Sequence, residues 1–249
     1  STGVVIVVGG AQYRAGSHRQ FVQLARFLAE GGFLVLRFDL PGMGDSPGEL
    51  PSFEETAPHI SAAINCFQQE HPAVKRVVLW GLCDGASASL LYVDATRDPR
   101  IVGLALLNPW VRSEVSLARA RVKHYYWQRL GEPDFWRKLL RGGVGWGALR
   151  KLGQNIQSAR DRGSAPTGFQ DRMARGWLAF GKPILLLRSE RDLTAQEFVE
   201  HANAGARWQD WATKSELSNV SIEQADHTCS TPSSRQAVEQ ETLTWLSKV

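Results

Sequence analysis

Apolar and polar positions follow two alternating patterns along this chain. Gly3 to Val8 and Val77 to Trp80 are short unbroken apolar runs rich in β-branched residues, the pattern of strands covered on both faces. Phe33 to Phe38, Ile101 to Leu107, Pro183 to Arg188 and Asn219 to Ile222 read the same way. Between them the apolar residues recur at helical spacing. In His18 to Glu30 they fall at Phe21, Leu24, Ala25, Phe27 and Leu28, and Gly31-Gly32 closes the segment. Ser52 to Glu70 suits a helix opened by a Ser52-x-x-Glu55 capping box and ended by Pro72. Ala86 to Val93, Ala195 to about Thr213, and Ser233 to Lys248 complete the set. Strand followed by helix, six times over, predicts a parallel sheet with helices on both faces.

The interval Val111 to Phe180 breaks this rhythm. It separates two consecutive strands, and holds Trp127, Trp136, Trp146 and Trp177 with helix-like pieces at Ser116 to Leu130 and Asp134 to Leu140. A structureless loop of that length does not suit a compact domain, so a helical cap over the strand C-termini is expected. The expected division is a core of 1–110 and 181–249 with a cap of 111–180. The charge is uneven in the same way. That interval has 14 Arg and Lys against 5 Asp and Glu, a net of +9, which leaves −5 for the rest of a chain whose total is +4. An anionic ligand and plain solvation of cap helices explain such an excess equally well. Nucleic-acid binding is not expected, because the positive charge is confined to the segment that would also cover the site. Gly142-Gly143-Val144-Gly145-Trp146-Gly147 has no strand before it, which argues against a phosphate loop.

At 249 residues with 43% hydrophobic content the chain can bury one large core. No apolar run reaches about 18 residues, so no membrane span is expected. The cysteines, Cys66, Cys83 and Cys229, cannot all pair and show no metal spacing, which favours a reducing compartment and a cytoplasmic location. No metal or cofactor is expected. Cys66 shares an apparent apolar helix face with Ala63 and Phe67 and reads as a small core residue.

The chemistry centres on Cys83. The strand Val77 to Trp80 runs into Gly81-Leu82-Cys83-Asp84-Gly85 and then into a helix-forming segment. Glycines two before and two after the cysteine remove the Cβ atoms that would block a sharp strand-to-helix turn, the nucleophile-elbow pattern with cysteine at the usual serine position. A helix N-terminus aimed at the sulfur favours thiolate over thiol. Such a nucleophile needs a base within hydrogen-bond reach and an acid to hold that base. Asp192, four residues past the strand Pro183 to Arg188, is the expected acid, with Glu190 as rival. His227, after the last strand, is the expected base; His201 falls inside a predicted helix. The Asp84 amide and one from the loop after the first strand, at Ala11 with Gln12 as alternative, would hold an oxyanion. Gln12, Tyr13 and His18 are candidates for lining the substrate pocket, and serve as well as ordinary loop and cap residues. Cys229 is assigned no role.

With these motifs the chain resembles the α/β-hydrolase superfamily over its whole length. More narrowly it resembles exosortase A system-associated hydrolase 1. That resemblance rests on Val7 to Arg14, Leu36 to Asp39 with Gly42 to Ser46, Leu79 to Asp84, Leu107 to Arg112, and Lys123 to Tyr126 with Phe135 to Leu140. It implies a bacterial hydrolase encoded with exopolysaccharide and surface-sorting machinery, and leaves the substrate open. The superfamily's usual first hairpin has no counterpart here, so residues ahead of Ser1 are expected. The cysteine is similar to that of dienelactone hydrolases and polyhydroxyalkanoate synthases.

The expected reaction is cleavage of a small-molecule thioester, lactone or activated ester through a thioacyl enzyme. A thiolate is also a good leaving group, which disfavours plain esters and amides. Two alternatives stand beside this: an acyltransferase passing the group to an alcohol or amine, and a non-catalytic partner protein of an exopolysaccharide or sorting system. The sequence leaves the oligomeric state open.

Overall fold

The computed structural model describes residues 1–9, 12–112 and 168–249. The chain divides into two compact units, Ser1–Val111 with Phe169–Val249, and Arg112–Gly168; the first unit is described below.

Six parallel strands form one sheet: β1 (Thr2–Val7), β2 (Leu34–Arg37), β3 (Arg76–Leu82), β4 (Ile101–Leu107), β5 (Ile184–Ser189) and β6 (Leu217–Ile222), in the spatial order β2-β1-β3-β4-β5-β6. Six described α-helices accompany them: α1 (Gln20–Glu30), α2 (Ala57–Glu70), α3 (Asp84–Thr96), α4 (Phe169–Ala179), α5 (Leu193–Ala204) and α6 (Pro232–Leu246). The period of two decides which side chain meets which layer. On β1, β3, β4 and β5, residues Val5, Val7, Val77, Leu79, Leu104, Leu106, Ile184 and Leu186 face α2, α3, α4 and α5. Their neighbours Val4, Ile6, Val78, Trp80, Ala105, Leu107, Leu185 and Leu187 face α1 and α6. Both faces are covered, which is why these strands read as continuous apolar runs. Among the described residues, no helix is long and apolar enough to cross a membrane.

Several expectations are corrected. The compact unit that holds both chain ends resumes at Phe169, where 181 was expected. α4 belongs to the core unit because Met173, Ala174 and Trp177 form a fully buried stripe, and Trp177 packs against Phe198, Trp208 and Trp211. Residues 113–167, with Trp127, Trp136, Trp146 and the expected cap helices, lie outside the described residues. The long helix expected from Ala195 stops at Ala204, where Gly205 takes an extended conformation and a short 3-10 turn, Ala206–Trp208, follows. α1 begins at Gln20 rather than His18 because His18 and Arg19 lie at positive φ. Ser52 caps a 3-10 turn at Phe53–Glu55, and α2 starts only at Ala57. Cys66 is exposed. The buried stripe of α2 is Ile60, Ala63, Ile64 and Phe67, and at ~100° per residue Cys66 falls well off that stripe.

Candidate active site

β3 ends on Leu82, and α3 starts on Asp84. Cys83 alone makes the turn, at φ 59° and ψ −123°, a conformation that a non-glycine residue keeps only when its surroundings enforce it. Two glycines provide that enforcement. A Cβ on Gly81 would stand 2.5 Å from the carbonyl carbon of Gly85, and one on Gly85 would stand 2.3 Å from the carbonyl oxygen of Val7. The Cys83 N–H donates to the Leu107 carbonyl at 2.9 Å, and its own carbonyl accepts from the N–H groups of Ala86 and Ser87. The Cys83 side chain is half-buried at the C-terminal edge of the sheet.

The other expected residues come to the same edge. Asp192 follows β5 and caps α5: its carboxylate accepts from the N–H groups of Thr194 at 3.1 Å and Ala195 at 3.3 Å. Its Oδ2 also lies 2.8 Å from Nδ1 of His227, in the loop after β6. Burial opposes ionisation of Asp192, yet the hydrogen bond and charge of His227, with the two amides, outweigh it and hold the carboxyl below its usual value. The His227 imidazole is pushed up to about 10, first by the hydrogen bond to Asp192 and next by one to Cys83, against the opposing effect of burial. With Nδ1 on Asp192, Nε2 is the ring nitrogen left for Cys83. Glu190, the rival acid, is turned elsewhere, accepting from the Gln224 N–H at 2.7 Å. His227 and Asp192 are therefore hydrogen-bonded to each other, and Cys83 stands at the C-terminal edge of the same sheet.

The remaining candidates are placed less centrally. Ala11 lies outside the described residues. Asp84 opens α3, and its carboxylate is close against Gly9, at the end of the β1 edge. Gln12 donates its side-chain amide to Ser17 at 3.2 Å, within its own loop. Tyr13 is 54% exposed, and neither it nor Gln12 makes a described contact with Cys83. His18 is exposed; Asp226, in the loop of His227, is held below its usual value chiefly by the Ser230 hydroxyl. Cys229 is buried, with Sγ 3.6 Å from the Ser189 hydroxyl, and burial pushes its thiol up. Among the described residues no cluster of three or more His, Cys, Asp or Glu suits a metal ion.

Sequence reasoning missed Asn108. This fully buried residue follows β4 and bonds Ser189 and the backbone of His227. An amide directly after an apolar strand, at the edge that carries the chemistry, was the available signal.

The sequence profile of the Alpha/beta hydrolase family matches residues 4–241. The chain belongs to the α/β-hydrolase family. Among solved structures this α/β hydrolase is similar to a Pyrococcus furiosus esterase, with TM-score 0.64, 17% identity, and coverage of 99% of this chain and 82% of the other. It is also similar to a monoacylglycerol lipase of Paleococcus ferrophilus, with TM-score 0.61, 20% identity, and coverage of 98% and 93%. Likenesses at such identities establish the fold. Matches to curated proteins are partial. Human protein ABHD12B is 36% identical over 116 residues, 44% of this chain and 31% of that protein. Phospholipase YtpA of Bacillus subtilis is 26% identical over 120 residues, 47% of this chain and 44% of that protein. The chain thus spans less than half the length of the curated relatives it matches.

Proposed function

We propose that this α/β hydrolase cleaves activated acyl compounds, thioesters and lactones foremost, with Cys83 as nucleophile, His227 as base and Asp192 as the group that orients the base. The observation that carries this reading is the His227 imidazole, hydrogen-bonded to Asp192 on Nδ1 and pushed up by Asp192 first and Cys83 next, with Cys83 at a strained strand-to-helix turn. In the proposed cycle the Cys83 thiolate attacks the acyl carbonyl, and the oxyanion is held by backbone amides at Asp84 and Ala11. Collapse expels the thiol or alcohol, which takes a proton from the His227 imidazolium. The neutral imidazole then draws a proton from water as the water attacks the thioacyl carbonyl. Release of the carboxylic acid restores the thiolate and imidazolium. Structural neighbours named an esterase and a monoacylglycerol lipase agree with acyl chemistry.

The test is intact-protein mass measurement after exposure to a panel of thioesters and lactones, with Cys83→Ala alongside. The expected result is an acyl adduct on the wild type, absent from the variant, and loss of turnover in the variant. Undiminished hydrolysis by Cys83→Ala overturns the proposal.

A second reading, acyl transfer to an alcohol or amine, is favoured by likeness to the polyketide transferase grgF of Penicillium sp, 32% identical over 95 residues. That stretch is 36% of this chain and 31% of the transferase. Adding candidate acceptors separates the two readings: a hydrolase releases free acid regardless, and a transferase diverts the acyl group. The narrower resemblance to exosortase A system-associated hydrolase 1 belongs to this proposal. The net charge of +9 between Val111 and Phe180 would direct the panel toward acyl groups borne on anionic carriers or acidic glycans.

A further inference from the structure

Asn108 has no part in the cycle above, yet the two sides of the site meet at it. It follows β4 at φ 48°, a left-handed conformation in which asparagine is several-fold enriched, and it has no exposed surface. Its carboxamide is fully engaged with the base side. Oδ1 accepts from the Ser189 N–H at 2.8 Å. Nδ2 donates to the Ser189 hydroxyl at 2.9 Å and to the His227 carbonyl at 3.1 Å. Two residues further on, Trp110 is attached to the nucleophile side. Its N–H donates to the Cys83 carbonyl at 3.2 Å, and its carbonyl accepts from the Ser87 hydroxyl at 2.7 Å. Pro109, between them, restricts the backbone. Asn108-Pro109-Trp110 therefore grips the backbone of the sulfur-bearing turn at one end and the backbone of the imidazole-bearing loop at the other.

We propose that Asn108 is a positioning residue that sets the reach of the His227 imidazole toward the Cys83 sulfur. Its amide holds the His227 carbonyl while Trp110, on the same short segment, holds the Cys83 carbonyl. The strands alone do not fix this span: His227 lies five residues beyond the last residue of β6, Ile222. A role limited to satisfying buried groups would end at Ser189; the bond to the His227 backbone is the part that bears on reach. This inference rests on the proposed roles of Cys83 and His227.

Asn108→Gly is the direct test, since glycine keeps the positive φ and removes the amide. Three readouts apply: hydrolysis of p-nitrophenyl acetate, alkylation of Cys83 by iodoacetamide at neutral pH, and NMR titration of His227. In the folded variant kcat should fall ~10- to 100-fold with KM changed by less than about twofold, as expected for misplaced reacting groups. Alkylation should slow, and the His227 titration should move below its wild-type position near 10. A kcat within about threefold of wild type with His227 unmoved would overturn the proposal. So would a fall in kcat with both alkylation and the His227 titration unmoved, the mark of a purely structural loss. If Asn108→Gly does not fold, Asn108→Asp keeps the shape and the acceptor for the Ser189 N–H but turns an oxygen toward the His227 carbonyl. Where it folds it should lose at least ~10-fold in kcat; wild-type kcat overturns the proposal. Cys83→Ala, run in parallel, separates the failures. Full activity there overturns the site reading and this inference together; an inactive Cys83→Ala beside a wild-type-like Asn108 variant overturns the inference alone.

Discussion

The two sides of the site are held in different ways. The sulfur side is local: Cys83 is fixed by Gly81, Gly85 and the first turn of α3, all within four residues of it, and by the neighbouring strands. The imidazole side is assembled from a distance. His227 sits in a loop whose position depends on Asp192, 35 residues away, and on Asn108, 119 residues away. Backbone sterics hold the first side; side-chain hydrogen bonds hold the second. The Cys83 side should therefore fail by loss of fold, and the His227 side should fail by loss of alignment within an intact fold.

The largest expected effect breaks the steric side. In Gly85→Ala the new methyl would meet the Val7 carbonyl oxygen at 2.3 Å, and strand backbone in the middle of a sheet cannot yield. The variant should lose more than about 4 kcal/mol of stability or fail to fold, in the range reserved for severe backbone conflicts. Gly181→Ala, where a Cβ meets nothing within 4 Å, is the control and should melt with the wild type. Chemical denaturation checks both. A Gly85→Ala protein with wild-type stability would show that the elbow is not sterically enforced.

Next in size is Asp192→Asn, which addresses the aligned side. The amide keeps the shape and an acceptor for the α5 cap, but no longer holds the Nδ1–H of a charged imidazole. Hydrolysis should fall by on the order of 10²- to 10⁴-fold, as when a triad acid becomes an amide, while the thermal midpoint changes far less than in Gly85→Ala. If fold and activity were lost together, the proposed contrast between the two sides would fail.

This contrast also explains what could be read from the chain. The Gly81 to Gly85 motif was legible because the steric demand of a sharp turn is met by residues next to it. Asp192 and His227 were legible by a coarser rule, as the polar residues that follow apolar strands. Asn108 also follows an apolar strand, but its partners depend on the β4–β5 pairing and on the path of the loop after β6, neither of which is a sequence spacing. The same limit misplaced Trp177 and Cys66. Whether a tryptophan or a cysteine is buried depends on which helix face meets which layer, and α4 meets α3 only through the order of the sheet. The bounds expected for the inserted segment rest on charge and rhythm, neither of which registers that α4 is packed into the core.

A smaller effect sharpens the comparison through pH. His227 titrates near 10 because of Asp192 first and Cys83 second, so its NMR titration should fall further in Asp192→Asn than in Cys83→Ala. Stability follows the same sign. A histidine raised from 6.5 to about 10 in the folded protein contributes fully below about 6.5 and loses that contribution as pH rises through 10. Asp192 lies below 3.8, so its contribution is present above about 3.8 and is lost as pH falls through its lowered value. The stability gap between the wild type and Asp192→Asn, followed by urea unfolding, should therefore narrow from pH 6 to pH 10. A constant gap would mean that the imidazole is not charged in the folded protein.

The smallest expected effect is at Glu190, the carboxylate two residues before Asp192. It is exposed, and its Oε2 accepts from the Gln224 N–H at 2.7 Å, which ties the end of β5 to the loop leading to His227 without touching the imidazole. Gln224 itself lies at φ 55°, so this bond supports a strained turn three residues before the base. Glu190→Gln retains an oxygen acceptor there. It should change kcat by less than about threefold and stability by less than about 1 kcal/mol, the usual scale for an exposed polar exchange. A loss on the scale of Asp192→Asn would mean that the carboxylate acting on His227 is Glu190, reached by a movement of the β6 loop, and the assignment of the acid would pass to it.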